Sequence, residues 1–272
     1  LRMFLILFKL ISFIPLFILR YISKLILLIV NITNAKPKRI TRNNLKHIEG
    51  LRNASLNESL KYTTESYLEY PFLWGNPDNY KKLLEIEDKP IFNHSAKPKL
   101  IFTLHMGCVD VMLFFVSDLL SKLNIIFTAT KNKKINDLVK KIRESRGAKL
   151  YSASSIETNK FFKNFFKGED IIIATDLVPH NAGKYSNFFG KECLSLDIIE
   201  KLSKKQTHDL YFVYLKKGTI KKYKLNTVHI KEPITTNRMN KYFEDAIKED
   251  PNLYGWEYKK FRKLSGNRKN IY

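Results

Sequence analysis

A chain of 272 residues, 44% hydrophobic and 27% charged, has room for one substantial core and the composition of an ordinary globular protein, which excludes collagen-like, mucin-like and disordered classes. Two cysteines exclude a disulfide framework, and six histidines scattered away from any cysteine pair give no zinc spacing. The 48 basic residues against 26 acidic ones, net +22, favour an anionic partner (nucleic acid, anionic lipid or an acidic protein), although much of the excess is lysine in a chain also rich in Asn, Ile, Phe and Tyr, the set that AT-rich codons encode.

Residues 1–40 hold seven bases, Arg2, Lys9, Arg20, Lys24, Lys36, Lys38 and Arg39, and no acid. The charges recur inside an apolar run and no small-residue cleavage site follows, so the segment is expected to be retained rather than removed as a signal. At about 100° per residue, Lys9, Ser12, Arg20, Ser23 and Lys24 share roughly one third of a helical wheel and the rest is apolar. Residues 1–32 therefore read as a hydrophobic amphipathic membrane helix with basic flanks, suited to an anionic leaflet, with Pro15 placed to kink it. Spanning and lying flat stay open, and burial against the protein's own core is the alternative.

A basic linker, AKPKRITRNN, opens a lead-in of residues 33–98 that includes a helical stretch near 57–74. From residue 99 the pattern changes to an alternation. LIFTL (100–104) reads as a buried strand, 109–120 as a helix, IIFTAT (125–130) as a strand, and 135–147 as a helix closed by Gly147. KLYS is a brief strand, 156–168 a helix ending at Gly168, and DIIIAT (170–175) a strong β-branched strand. A long loop to Gly190 and a helix near 192–204 follow. LYFVYL and YKLNTVHI are two more strands joined by KKGTIKK, then come a helix near 237–249 and a short helix around Trp256. The whole predicts an α/β fold, a mixed but mostly parallel sheet flanked by helices, with residues 99–272 as the core. Such folds place their sites at the carboxyl ends of strands, which directs attention past LIFTL and DIIIAT.

His105 follows LIFTL, and Asp110 follows it after four intervening residues. On one continuous helix the pair would diverge by about 140°. They can meet if His105 ends the strand, Gly107 turns the chain and Asp110 enters the first helical turn. The carboxylate would then hold one ring nitrogen and leave the other as a general base. No Gly-x-Ser-x-Gly motif is present, so the base has a substrate hydroxyl rather than a protein nucleophile to activate. Taken alone the motif is weak, since His105 also reads as a satisfied core histidine and Asp110 as a charge at a helix start.

Several blocks in order resemble the lipid A biosynthesis acyltransferases, the late acyltransferases within the wider glycerolipid and lysophospholipid acyltransferase superfamily. They are the hydrophobic basic N-terminus, TLHMGCVD, the segment from Ile125 to the Arg-Gly of residues 146–147, DIIIATDLVPHNAGKYSNFFGKE, and PNLYGWEYKKFRK, together covering roughly residues 1–265. The chain departs from the pattern in having Asp110 where glutamate is usual, Glu257 and Tyr258 where a histidine usually follows the terminal tryptophan, and an atypical residue after Asp176. The aspartate is usual in the glycerol-phosphate branch, but that branch's Phe-Pro-Glu-Gly block is missing.

The resemblance implies transfer of a fatty acyl group from an acyl-carrier-protein thioester, or a coenzyme A thioester, to a hydroxyl of a lipid A precursor. His105 would be the base and Asp110 its orienting partner. By position, Arg146 would bind an acceptor or phosphopantetheine phosphate, with Arg143 as a competing alignment, and Asp176 would bind or position the acceptor. No metal and no held cofactor are implied. The implied location is the bacterial inner membrane, with the catalytic domain on the cytoplasmic side. A lysophospholipid or other glycolipid acceptor is the nearest rival. A non-catalytic basic membrane or nucleic-acid binding protein is a distant one, since the bases are not interleaved with a nucleic-acid module and no nucleic-acid partner is expected. Phe188 and Phe189 read as core, and Gly190 as a turn. Residues 131–149 carry eight bases against two acids, and Lys131, Lys133, Lys134, Lys140 and Lys141 make a candidate docking surface for the acidic carrier protein.

Overall fold

A computed structural model describes residues 2–87, 91–92, 95–130, 132–180, 182–266 and 270–272. Lys131, counted above in the basic cluster, lies outside the described residues. The apolar N-terminus is two helices rather than one: α1 (Arg2–Ile11) and α2 (Leu16–Ile32), bent by 111° at the break that holds Pro15. Proline's missing N–H and fixed φ account for a break there. Among the described residues no single helix is long and apolar enough to cross a membrane, though the bent pair is by length and composition. The polar stripe of the wheel partly turns inward. Ser12 and Ser23 are buried, and each hydroxyl is spent on the backbone carbonyl three residues earlier, of Lys9 and Arg20, 2.7 and 2.8 Å away. The outward face is apolar, with Met3 74%, Ile6 61% and Leu10 61% exposed.

The expected basic linker is instead a helix, α3 (Lys36–His47), started by Pro37 in its first turn. It is anchored by buried Ile40, Thr41 and Asn44, and the Asn44 amide donates to the Trp256 and Tyr258 carbonyls at 2.6 and 2.8 Å. Next comes α4 (Leu56–Gly75), capped by the Ser55 hydroxyl, which accepts from the Glu58 N–H. A single turn, α5 (Tyr80–Leu83), leads into β1 (Leu84–Glu85).

The alternation then follows largely as read: β2 (Lys99–Thr103), α6 (Val109–Leu119), β3 (Asn124–Phe127), α7 (Lys133–Arg143), β4 (Lys149–Ser152), α8 (Ser155–Phe166) and β5 (Ile171–Ala174). The segment beyond departs from expectation. A hairpin of β6 (Lys184–Phe188) and β7 (Lys191–Ser195) occupies what was read as loop and helix start, leaving only a short α9 (Ile198–Ser203). Phe189 and Gly190 form its two-residue turn, both at positive φ (48° and 75°), the geometry that matches strand twist in a tight hairpin. Phe188 and Phe189 are core residues, as expected. β8 (Asp209–Lys217), β9 (Tyr223–Ile230) and α10 (Thr236–Glu249) complete the elements. No helix forms around Trp256. Its indole donates instead to the Pro251 carbonyl at 2.7 Å and the segment runs as turns.

The main sheet has the order β1-β9-β8-β2-β5-β3-β4. All neighbours are parallel except β8 and β9, so β9 and β1 run against the other five. This is the mixed, mostly parallel α/β sheet that the pattern implied, with β8 and β9 as its antiparallel pair. β2 and β5 are adjacent central strands, built of continuous apolar runs as strands covered on both faces must be.

Candidate active site

The pairing of β2 with β5 brings the site together. Thr103 stands opposite Ala174, and the ladder extends one step further through the Thr175 N–H to the Thr103 carbonyl at 3.0 Å. Two residues past each strand end, His105 and Asp176 therefore lie side by side. Asp176 grips the histidine twice: Oδ1 lies 2.8 Å from the ring Nδ1, and Oδ2 accepts the His105 backbone N–H at 3.1 Å. With Nδ1 facing a carboxylate, Nε2 is the nitrogen left for substrate. The ring is 40% exposed while the Asp176 side chain is almost fully buried. Burial works to lower the imidazole pKa, but the charge and hydrogen bond of Asp176 outweigh it and hold His105 above its ordinary value. Burial would likewise raise the Asp176 pKa; His105, its backbone N–H and the nearby Lys260 charge prevail and keep it low. Lys260, itself buried, donates to the Asp176 carbonyl at 2.8 Å and lies over the Phe188 ring.

The partner of the histidine ring is thus Asp176, not Asp110 as the spacing suggested. The turn between them is as expected: Gly107 at φ +64° reverses the chain, and Asp110 sits in the first turn of α6. An added Cβ at Gly107 would overlap the Tyr223 ring, whose hydroxyl accepts the Cys108 N–H at 3.2 Å and donates to Glu69 at 2.7 Å. The turn is therefore clamped from below by β9 and α4. Asp110 is fully buried, with its oxygens already engaged: Oδ1 accepts Arg143 Nε at 3.0 Å and Nη2 at 2.8 Å, and Oδ2 accepts the Trp74 indole N–H at 2.6 Å. Burial lowers the Arg143 pKa, and the Asp110 charge and hydrogen bond more than reverse it. The Arg143 charge in turn is felt at His105. The Gly107 turn thus joins two pairs, His105–Asp176 before it and Arg143–Asp110 after it.

Of the two competing arginines, Arg143 joins this cluster. Arg146 faces away into a bracket with Asp78 and Asp118, at 3.2 Å to the latter, and lies over the Tyr80 ring. Glu257 went unread as a site residue. The segment before it is strapped to the histidine: the Gly255 N–H donates to the His105 carbonyl at 2.9 Å and Tyr254 bridges Met106. Its carboxyl accepts the Thr63 hydroxyl at 3.1 Å. Burial pushes its pKa above the usual carboxylate range, opposed in part by Thr63 and the His105 charge. The signal in the sequence was the departure at this position, an acid and an aromatic where the resembled family usually has a histidine after the terminal tryptophan. Among the described residues no cluster of His, Cys, Asp and Glu has the makings of a metal centre.

A histidine held by a buried carboxylate at a parallel strand's end, with one nitrogen open and an arginine alongside, is equipped to take a proton from a hydroxyl and to stabilise an oxyanion. A family model described as bacterial lipid A biosynthesis acyltransferase matches residues 2–263. No individual curated protein is similar enough to the chain to count as a match. With nearly the whole chain covered, including every residue of both pairs, the protein belongs to the bacterial lipid A biosynthesis acyltransferase family.

Proposed function

We propose that the protein moves a fatty acyl group from an acyl-carrier-protein thioester to a hydroxyl of a lipid A precursor at the cytoplasmic face of the bacterial inner membrane. The observation that carries the reading is the His105–Asp176 pair within a chain of the acyltransferase family. His105 Nε2 accepts the proton of the acceptor hydroxyl as that oxygen attacks the thioester carbonyl carbon. Asp176 fixes the ring and stabilises the imidazolium that forms. The carbon–sulfur bond then breaks, and the thiol leaves on its phosphopantetheine arm carrying the proton from His105. Arg143, held in place by Asp110, supplies the positive charge for the developing oxyanion. None of these steps calls on a metal or a held cofactor.

Two surfaces support the partners. The exposed Lys133, Lys134 and Lys141 lie on α7, the helix whose last residue is Arg143, so an acidic carrier protein docked there would deliver its arm beside the site. The outward apolar faces of α1 and α2, flanked by bases and free of acids, suit an anionic leaflet in which the glycolipid acceptor resides. Asp110, in place of the family's usual glutamate, favours a lysophospholipid acceptor as the second reading. The test is incubation of the purified protein with carrier-protein thioesters and either a tetraacyl lipid A precursor or lysophospholipids, with products weighed by mass spectrometry. Acylation of the lipid A precursor is expected; acylation of lysophospholipid alone would move the acceptor to the second reading, and turnover of neither would overturn acyl transfer.

A further inference from the structure

Asp110 is held not only by Arg143 but by Trp74, whose indole N–H lies 2.6 Å from Oδ2. Trp74 is the penultimate residue of α4, and its ring is packed in turn by Tyr70, at 5.6 Å between centroids, and by Phe8 of α1, at 5.4 Å in an edge-on arrangement. The contact with α1 is made in a fixed register. An added Cβ at Gly75 would overlap the Phe8 carbonyl, so the two helices approach backbone to backbone at the residue after Trp74. The buried Asn79 amide then ties the end of α1 to α4, donating to the Ser12 carbonyl at 3.0 Å and the Phe72 carbonyl at 3.1 Å. A helix serving only as a membrane tether needs an outward apolar face and any attachment that holds. Here the inward face is fitted to the α4 side chain that donates to the buried aspartate of the site.

We infer that Trp74 and Phe8 are positioning residues of the acyl-transfer site, so that α1 is a structural part of the site in addition to its contact with lipid. This rests on the assignment of the two pairs to acyl transfer. The chain of contact runs from Phe8 to the indole, from the indole to Asp110, and from Asp110 to the Arg143 guanidinium whose charge reaches His105. Without the indole N–H, Asp110 Oδ2 would be left buried and unpaired, and the carboxylate that fixes Arg143 would be free to turn. Without the Phe8 ring, the indole would lose one of its two aromatic walls.

The test uses full-length protein in detergent micelles, where a tether to a bilayer is not needed, with a carrier-protein thioester and a tetraacyl lipid A precursor. Trp74→Phe keeps an aromatic ring and deletes the donor. It is expected to lower kcat about tenfold to a hundredfold with KM for both substrates little changed. Phe8→Ala is expected to lower kcat about threefold to tenfold, and Phe8→Leu, which refills the contact, to restore most of it. Wild-type kcat in both Trp74→Phe and Phe8→Ala, with Phe8→Ala losing only vesicle binding, would make α1 a tether and overturn the inference. A Phe8→Ala loss that merely tracks the unfolded fraction seen by circular dichroism would overturn it as well. An inactive wild type would overturn the acyl-transfer reading and this inference together, whereas an active wild type with unaffected variants overturns the inference alone.

Discussion

Asp176 past β5 and Asp110 at the start of α6 are both buried, at 1% and 0% exposure, both in contact with a basic side chain, and both within one small site. They differ in what they face. Asp176 faces an imidazole, which gives and takes a proton near neutral pH; Asp110 faces a guanidinium, which never does. The first pair can change its charge during a turnover, and the second is a fixed dipole. Burial of a carboxylate therefore does not assign it a role, and the partner does. The spacing of His105 and Asp110 in the sequence suggested a pair that the fold separates, because a parallel strand neighbour reaches the histidine ring where the following helix does not.

The comparison can be broken in several places. Replacing His105 by Ala removes the base both readings require, and acyl transfer should fall about a hundredfold to ten-thousandfold while the melting curve stays cooperative. Initial rates above a tenth of wild type would remove His105 from the chemistry. Asp176→Asn comes next, with a loss of about a hundredfold expected. Its sign against pH is specific. Asp176 holds the imidazole pKa up against burial, and the base works only when neutral, so wild-type activity is lost as pH falls through that raised value. With the carboxylate gone, burial dominates and the acid limb of the rate profile should move to lower pH, even as the plateau drops.

Asp110→Asn should behave differently. It leaves the Arg143 guanidinium, whose side chain keeps 18% exposure to solvent, without its counter-charge, so a loss of about 1–3 kcal/mol, a lower melting temperature and a lower kcat are expected, with the acid limb displaced less than in Asp176→Asn. A rate profile displaced as far as that of Asp176→Asn, at unchanged stability, would mean that Asp110 also sets the histidine. Glu257→Gln sharpens the picture on a smaller scale. Glu257 adds to the negative field that raises the His105 pKa, so its loss should shift the acid limb in the same direction as Asp176→Asn but less far, at modest cost in rate. Smallest is Arg146→Ala. Its partners Asp78 and Asp118 are partly in water, so about 1 kcal/mol or less of stability is expected to go, with kcat and KM preserved. A large rise in KM for the carrier-protein donor would return Arg146 to substrate binding.

Much of this was legible in the chain. The apolar runs from Leu100, Ile125 and Ile171 are continuous because parallel central strands are covered on both faces, and they fixed the fold class and the strand ends at which His105 and Asp176 stand. What stayed hidden depends on which strands are neighbours. The His105–Asp176 bond follows from Thr103 lying opposite Ala174, and no local pattern reports a register between strands some seventy residues apart. The same holds for Arg143 over Arg146: both lie on the same basic stretch, and only the packing of α7 against α6 and α4 chooses between them. Two of the misread segments failed for local reasons. Residues 35–44 look like a linker because their polar surface is dense, yet Ile40 and Asn44 are spaced for one buried helix face. Residues 191–195 begin a strand because the Phe-Gly turn at 189–190 closes a hairpin, a turn chemistry usually carried by Asn-Gly and so easily passed over.

The most direct measurement of the central claim is the titration of the His105 imidazole by NMR, with labelled histidine, in the wild type, Asp176→Asn and Asp110→Asn. The expected result is a wild-type value above that of an ordinary histidine, a clear fall in Asp176→Asn, and a smaller change in Asp110→Asn. A larger change in Asp110→Asn than in Asp176→Asn would contradict the assignment of Asp176 as the partner of His105.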